Sequence, residues 1–183
     1  MKACICIIKK IAEIKSFLTE EQLKTVVCAS VLSILDYCNA LYYGITEARL
    51  KKLQSVQNSA VHLIRKKMNR QDVSTVELLK KFHWLPVKKR ITYKILLIVH
   101  KCLLGEAPVS LRNMMVMGGS TRTKKLEERK CNGEMGERSF SVAGPKLWNL
   151  LPMDVRMEEN TDDFKKKLKT FLFREIDNPN SKF

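Results

Sequence analysis

The stretch Thr19-Glu20-Glu21-Gln22-Leu23-Lys24-Thr25-Val26-Val27-Cys28-Ala29-Ser30-Val31-Leu32-Ser33-Ile34-Leu35 decides the fold class. Within it Leu23, Val26, Val27, Ser30, Val31, Ile34 and Leu35 recur at helical steps. That period lines one face of an α-helix, whereas a half-buried strand would alternate every second residue. The start of the helix is also readable. The Thr19 hydroxyl can accept from the Gln22 amide while the Gln22 side chain reaches back, a capping box. Cys28 lies inside the apolar run and is expected to behave as a small hydrophobe.

Working outward, the same period returns on both sides. Ile8, Ile11, Ile14 (or Lys15) and Leu18 predict a first helix over about 5–17. Asp36 to Gly44 is a polar and aromatic interruption with Tyr37, Asn39, Tyr42 and Tyr43, and Gly44 is a plausible stop. Of the tyrosines, at least one is expected to pack while its hydroxyl finds a polar partner. Thr46 can cap a third helix to about residue 67, burying Leu50, Leu53, Val56 or Gln57, Ala60 and Ile64. Ser74 and Glu77 repeat the capping-box spacing ahead of a short helix over 76–82. Pro86 suits a first helical turn, and Ile91, Ile95, Ile98, Val99 and Cys102 form the stripe behind it until Gly105. Pro108 predicts a short helix through Met115. Residues 118–136 read as an exposed connection. Phe140 and Val142 alternate enough for a very short strand, Pro145 then opens a helix with Leu147, Trp148 and Leu150, and Pro152 closes it. Thr161 is the expected cap of the last helix, with Asp162 and Asp163 in its first turn and Phe164, Leu168, Phe171 and Leu172 on its apolar face. The fold class is therefore mainly α: a compact domain of about six to eight helices with a basic loop and at most a very short β element. A parallel-sheet fold would need buried β-branched runs alternating with helices, and there are none. The expected organisation is a helical domain over 1–117, a basic connection over 118–138 and a C-terminal helical segment over 139–183 packing on the same core.

The chain has 183 residues, enough to bury a core without disulfides or metal. Its six cysteines place only Cys4 and Cys6 close together, with no second pair at zinc-site spacing, so the thiols are read as reduced and the compartment as cytoplasmic or nuclear. The apolar stretch Ala3 to Ile8 is too short for the core of a signal peptide and no small-residue cleavage site follows it. It reads instead as the first turn of a helix that could begin upstream in a longer parent. No apolar run approaches the roughly 20 residues of a membrane span, so no membrane partner is expected. The same first helix, deprived of a parent, would expose Ile8, Ile11 and Ile14, a patch suited to self-association.

Charge is the strongest functional signal. The net charge is +15. Residues 62–130 hold 17 basic and 5 acidic side chains, a net of +12, while residues 1–61 carry +3 and residues 131–183 are neutral overall. Three clusters lie in the central third: Arg65, Lys66, Lys67 and Arg70; Lys88, Lys89, Arg90 and Lys94; and Arg122, Lys124 and Lys125, followed by Arg129 and Lys130. On a helix Arg90 and Lys94 share a face and Lys88 and Arg90 do not. One cluster alone would be read as a solvated face. Three within a segment of +12 suit a polyanion, whose condensed counterions they can displace without reading bases.

Catalytic constellations are missing. A polymerase needs paired carboxylates for magnesium, and the only adjacent aspartates, Asp162 and Asp163, sit at a helix start beside lysines, where capping explains them. His62 and His100 lie among apolar helix residues, and His83 beside Trp84 has no partner visible in the sequence. Gly118-Gly119 lacks the Lys-Ser/Thr and strand context of a phosphate loop. Trp84, among Leu79, Phe82, Leu85 and Val87, is expected in the core rather than stacked on a base, and Trp148 has the same bias. No catalytic residue, metal or cofactor is assigned.

Several strings, in order, resemble one family. Leu35-Asp36-Tyr37-Cys38-Asn39-Ala40-Leu41-Tyr42-Tyr43-Gly44 comes first, then Leu53-Gln54-Ser55-Val56-Gln57-Asn58-Ser59-Ala60. His83-Trp84-Leu85-Pro86-Val87-Lys88-Lys89-Arg90-Ile91 follows, with Tyr93-Lys94-Ile95-Leu96. Phe140-Ser141-Val142-Ala143-Gly144-Pro145-Lys146-Leu147-Trp148-Asn149 with Leu151-Pro152, and Phe164-Lys165-Lys166-Lys167-Leu168-Lys169, complete the set. Over about residues 9–175 the chain resembles the C-terminal region of non-LTR (LINE-like) retrotransposon reverse transcriptases of the Jockey-like branch. The resemblance implies thumb-like helices, and the domain beyond them, lying after the polymerase palm of an RNA-directed DNA polymerase. It implies a grip on template RNA or an RNA–DNA duplex, with no catalytic residues here because palm and endonuclease have no counterpart. The candidate nucleic-acid contacts are Arg65, Lys66, Lys67, Arg70, Lys88, Lys89, Arg90, Lys94, Arg122, Lys124 and Lys125. The rival expectation is a decayed structural or protein-interaction remnant with no nucleic-acid role. The stretch between Thr121-Arg122 and Arg138 departs from the family, being shorter and charged where the relatives are partly apolar.

Overall fold

Helix α1 runs Lys2–Ile14 and ends in a short 3-10 turn, Lys15–Phe17. The capping box at Thr19 is present, with Thr19 and Gln22 each accepting from the other's backbone N–H, and it opens α2, Glu20–Val27. Instead of one long helix to Leu35, the backbone widens into a π-helical turn at Cys28–Leu32 and then resumes as α3, Ser33–Asp36. The widening has a local cause. Ser30 and Ser33 donate their hydroxyls to the Val26 and Ala29 carbonyls, a back-bonding that perturbs helical geometry. Helix α4 is Glu47–Ile64, and a second capping box at Ser74 and Glu77 opens α5, Thr75–Lys81. Then come α6 (Val87–Leu103), α7 (Val109–Arg112), α8 (Glu134–Glu137), α9 (Phe140–Leu150), α10 (Met153–Arg156) and α11 (Thr161–Arg174). The computed structural model describes residues 2–65, 74–118, 123–131, 133–176 and 178. Among them the fold is mainly α, and its β content is one isolated antiparallel bridge between Met117 and Leu126.

Four local expectations need correction. Phe140 to Val142 are the first turn of α9, not a strand. Pro145 lies inside that helix rather than at its start, as its sixth residue, where it cannot donate the i→i−4 bond to the Ser141 carbonyl. Gly144 before it packs closely, since a Cβ there would lie 3.0 Å from Val99 Cγ2 and push that side chain aside. The cap of α11 is Asn160, whose side chain accepts from the Asp162 and Asp163 N–H groups, so Thr161 is already helical. The connection expected over 118–138 is also not wholly exposed: Leu126 is buried, and its N–H and C=O are both bonded by the Asn149 side chain, at 2.9 and 2.8 Å.

The chain packs as two compact units, residues 1–39 with 45–90, and residues 40–44 with 91–183. Composition placed divisions at 117 and 138 instead, because composition tracks charge along the chain whereas packing follows apolar faces. The core of the first unit gathers Cys4 and Ile11 of α1, Leu23 and Val27 of α2, Val31, Leu32 and Leu35 behind them, Val56 to Ile64 of α4, and Leu78, Leu79, Phe82 and Trp84 around the end of α5. Ile8 packs against this core and Ile11 is within it, so of the three isoleucines expected to be exposed only Ile14 faces solvent. The second unit buries Trp148, Phe164 and His100 together. The His100 ring stacks on Phe164 with centroids 3.9 Å apart, and Trp148 tilts against Phe164 at 5.8 Å. No described helix is long and apolar enough to cross a membrane.

Candidate nucleic-acid interface

The second basic cluster is built on a polar network inside the first unit. Helix α3 ends at Asp36, and its carboxylate takes a forked pair of bonds from Arg90 of α6: Nε to Oδ1 at 2.8 Å, and Nη2 to Oδ2. The fork matches the planar guanidinium to the carboxylate, the strongest common geometry for such a pair. Asn39, nearly fully buried, donates to the same Asp36 Oδ1 at 3.2 Å. On α4, the Gln54 amide donates to Gln57 and Asn58 and its oxygen accepts the Val87 N–H at 2.9 Å. Gln57, with 0% exposure, donates to the Leu85 carbonyl at 2.9 Å. Thus the residues carrying three of the family-like strings bond mainly to one another. Gln57 and Gln54 hold the Trp84-Leu85-Pro86-Val87 turn, and Arg90 holds the end of α3.

Around that network the side chains are cationic and aromatic. Cys28 touches Trp84 and lies within the field of Lys24, Arg90 and Asp36; burial nonetheless raises its thiol above the ordinary value, leaving it protonated and a weak nucleophile. Lys24 and Lys81 both sit over the Phe82 ring, at 5.8 and 5.3 Å, and Lys81 also pairs with Glu20 at 2.9 Å. Two non-glycine residues here adopt left-handed backbone, Cys38 at φ +49° and His83 at φ +56°. Such conformations cost about 1 kcal/mol each. His83 occupies the position where a helix-ending glycine is usual, with the Trp84 N–H reaching back to the Leu79 carbonyl at 2.8 Å.

The eleven candidate contacts are thus placed unevenly. Lys66, Lys67, Arg70 and Arg122 lie outside the described residues. Arg65 is half-buried at the end of α4, and its carbonyl accepts the Lys15 ammonium at 2.7 Å. Lys88 is exposed, Lys89 is buried at 7% exposure, and Arg90 is committed to Asp36. Lys94 belongs to the second unit and is half-buried. There, Lys124 pairs with Glu159 at 3.0 Å and gives its carbonyl to the Trp148 indole at 2.7 Å, while Lys125 is exposed, as are Arg129 and Lys130. The sequence therefore overstated Lys89, Arg90 and Lys124 as free cations. The partners of Arg90 and Lys124 lie 54 and 35 positions away, and no spacing rule reveals such pairs.

The described carboxylates of the central segment are mostly used on neutral groups. Glu77 caps α5, Glu128 accepts from Asn149 and Glu106 from the Thr161 hydroxyl. Among the described residues no three His, Cys, Asp or Glu side chains gather as a metal site. His100 is a core residue. Its Nε2 bonds the Glu158 carbonyl at 2.9 Å, its Nδ1 is buried without a partner, and burial lowers its pKa despite the Glu158 and Glu106 charges. Neither the family models, nor the curated proteins, nor the solved structures contain a match to this chain.

Proposed function

We propose that the chain is a non-catalytic piece of a retrotransposon RNA-directed DNA polymerase that binds RNA or RNA–DNA duplex through phosphate contacts. The observation that carries this reading is the net +12 of residues 62–130. Internal pairing removes Arg90 and Lys124 from it but leaves Lys125, Arg129 and Lys130 at the surface. The ordered family-like strings supply the polymerase context. Lysines and arginines meeting phosphates position a strand without reading its bases, so affinity should be indifferent to sequence. Filter binding with two RNAs of unrelated sequence and equal length tests this. Equal affinities at low salt, both abolished by heparin, are expected; no retention of either RNA, or retention of only one, overturns it.

A second reading is a remnant that associates with itself. Ile14 and Phe17 favour it, both exposed at the end of α1, Phe17 at 85%. A monodisperse monomer across a concentration series in sizing experiments would contradict it.

A further inference from the structure

We propose that Tyr37 is a stacking platform for an unpaired nucleobase, which makes this surface a single-strand site; the inference rests on the nucleic-acid reading above. The ring stands 76% exposed at the end of α3. The backbone beneath it is fixed on both sides. Asp36 is gripped by the Arg90 fork, Asn39 is buried and bonded back to Asp36, and the Tyr37 N–H is bonded to the Ser33 carbonyl at 3.0 Å. Between them Cys38 is held in left-handed conformation. A tight turn is thus maintained at some cost, and it projects outward a ring that contributes little to the core. An exposed aromatic on a fixed backbone suits a base, because only the ring's own two torsions remain to be ordered on stacking.

The charges nearby suit the phosphates that flank such a base. Lys24 acts on Cys28, which also feels Asp36 beside Tyr37. The one carboxylate in this group, Asp36, is neutralised by Arg90. A blunt duplex offers no free base face for the ring, so stacking favours single strands specifically.

The test compares the full chain with Tyr37→Ala and Tyr37→Trp, titrated with a short unstructured oligouridylate, the matching oligodeoxyuridylate and a blunt RNA–DNA hybrid. Stacking on one base predicts an about tenfold loss for Tyr37→Ala on both single strands, recovery in Tyr37→Trp, and no change on the hybrid. A greater loss on the ribo-oligomer than on the deoxy-oligomer would assign the site to RNA. Unchanged single-strand affinity in Tyr37→Ala, or equal losses on strand and hybrid, overturns the platform while leaving phosphate binding in place. No binding by the unaltered chain to any of the three overturns the function itself, and the platform with it.

Discussion

The two units of the chain are stabilised by different chemistry. In the first, an apolar core is stitched at its margin by side-chain polar bonds: Asp36 with Arg90 and Asn39, Gln54 with Val87, Gln57 with Leu85. In the second, a stacked set of rings, His100, Phe164 and Trp148, fills the centre, and Trp148 and Asn149 fasten the otherwise irregular residues 124–126. The comparison teaches what the family-like strings are for in this molecule. Asp36, Gln54, Gln57, Trp148 and Asn149 bond inward, so these residues hold turns, and any grip on a nucleic acid falls to cations and rings left outside.

The largest effect should come from the second unit. Trp148→Ala removes a fully buried ring and its bond to the Lys124 carbonyl, and a loss of about 3–5 kcal/mol is expected in denaturant unfolding. In the first unit Asp36→Ala leaves a mostly buried guanidinium without its carboxylate and Asn39 without its acceptor, for a loss of about 1–3 kcal/mol. If Asp36→Ala proved as costly as Trp148→Ala, the contrast between a ring-filled and a polar-stitched unit would fail.

Acid should separate the units. His100 has a folded pKa below its ordinary value, so neutral His100 contributes stability that is intact above about pH 6.5 and is lost as pH falls below that toward the folded value. Protonation would place a charge on Nδ1, which has no acceptor. His100→Phe keeps a ring in the stack and removes the titration, so thermal melts of the unaltered chain should lose ground to the variant as pH drops from 7 to 5. Parallel pH dependence in the two would contradict this. The smallest effect is a gain. Cys38→Gly relieves the left-handed strain and should add no more than about 1 kcal/mol, read as a small rise in melting temperature.

Much of the helical layout was legible because capping and periodicity are local. Thr19 with Gln22 and Ser74 with Glu77 announce their helices within four residues, and both boxes are present as read. The π-turn at Cys28–Leu32 was hidden, because no local pattern marks an extra residue in a helix; beyond it Leu32 is buried while Ile34, expected on the stripe, is exposed. The strand expected at Phe140 failed for the opposite reason, since three residues cannot distinguish a period of two from one of 3.6. For the site, the sequence exposed the total charge but not its disposition. Whether Arg90 faces solvent depends on Asp36, 54 positions away, and only the fold brings them together. Tyr37 was visible as one of several tyrosines near a helix end; its exposure follows from the turn that Arg90 and Asn39 fix, which local pattern does not encode.

We propose that surface cations of the middle segment meet phosphates. The most direct measurement is the affinity for a single-stranded RNA as a function of salt, for the unaltered chain and for one carrying Lys125→Ala and Lys130→Ala. The prediction is a linear fall of log affinity with log salt, with a slope of about −0.7 for each phosphate engaged, made shallower by the double substitution. An affinity that does not change with salt, or a slope identical in the two proteins, would contradict it.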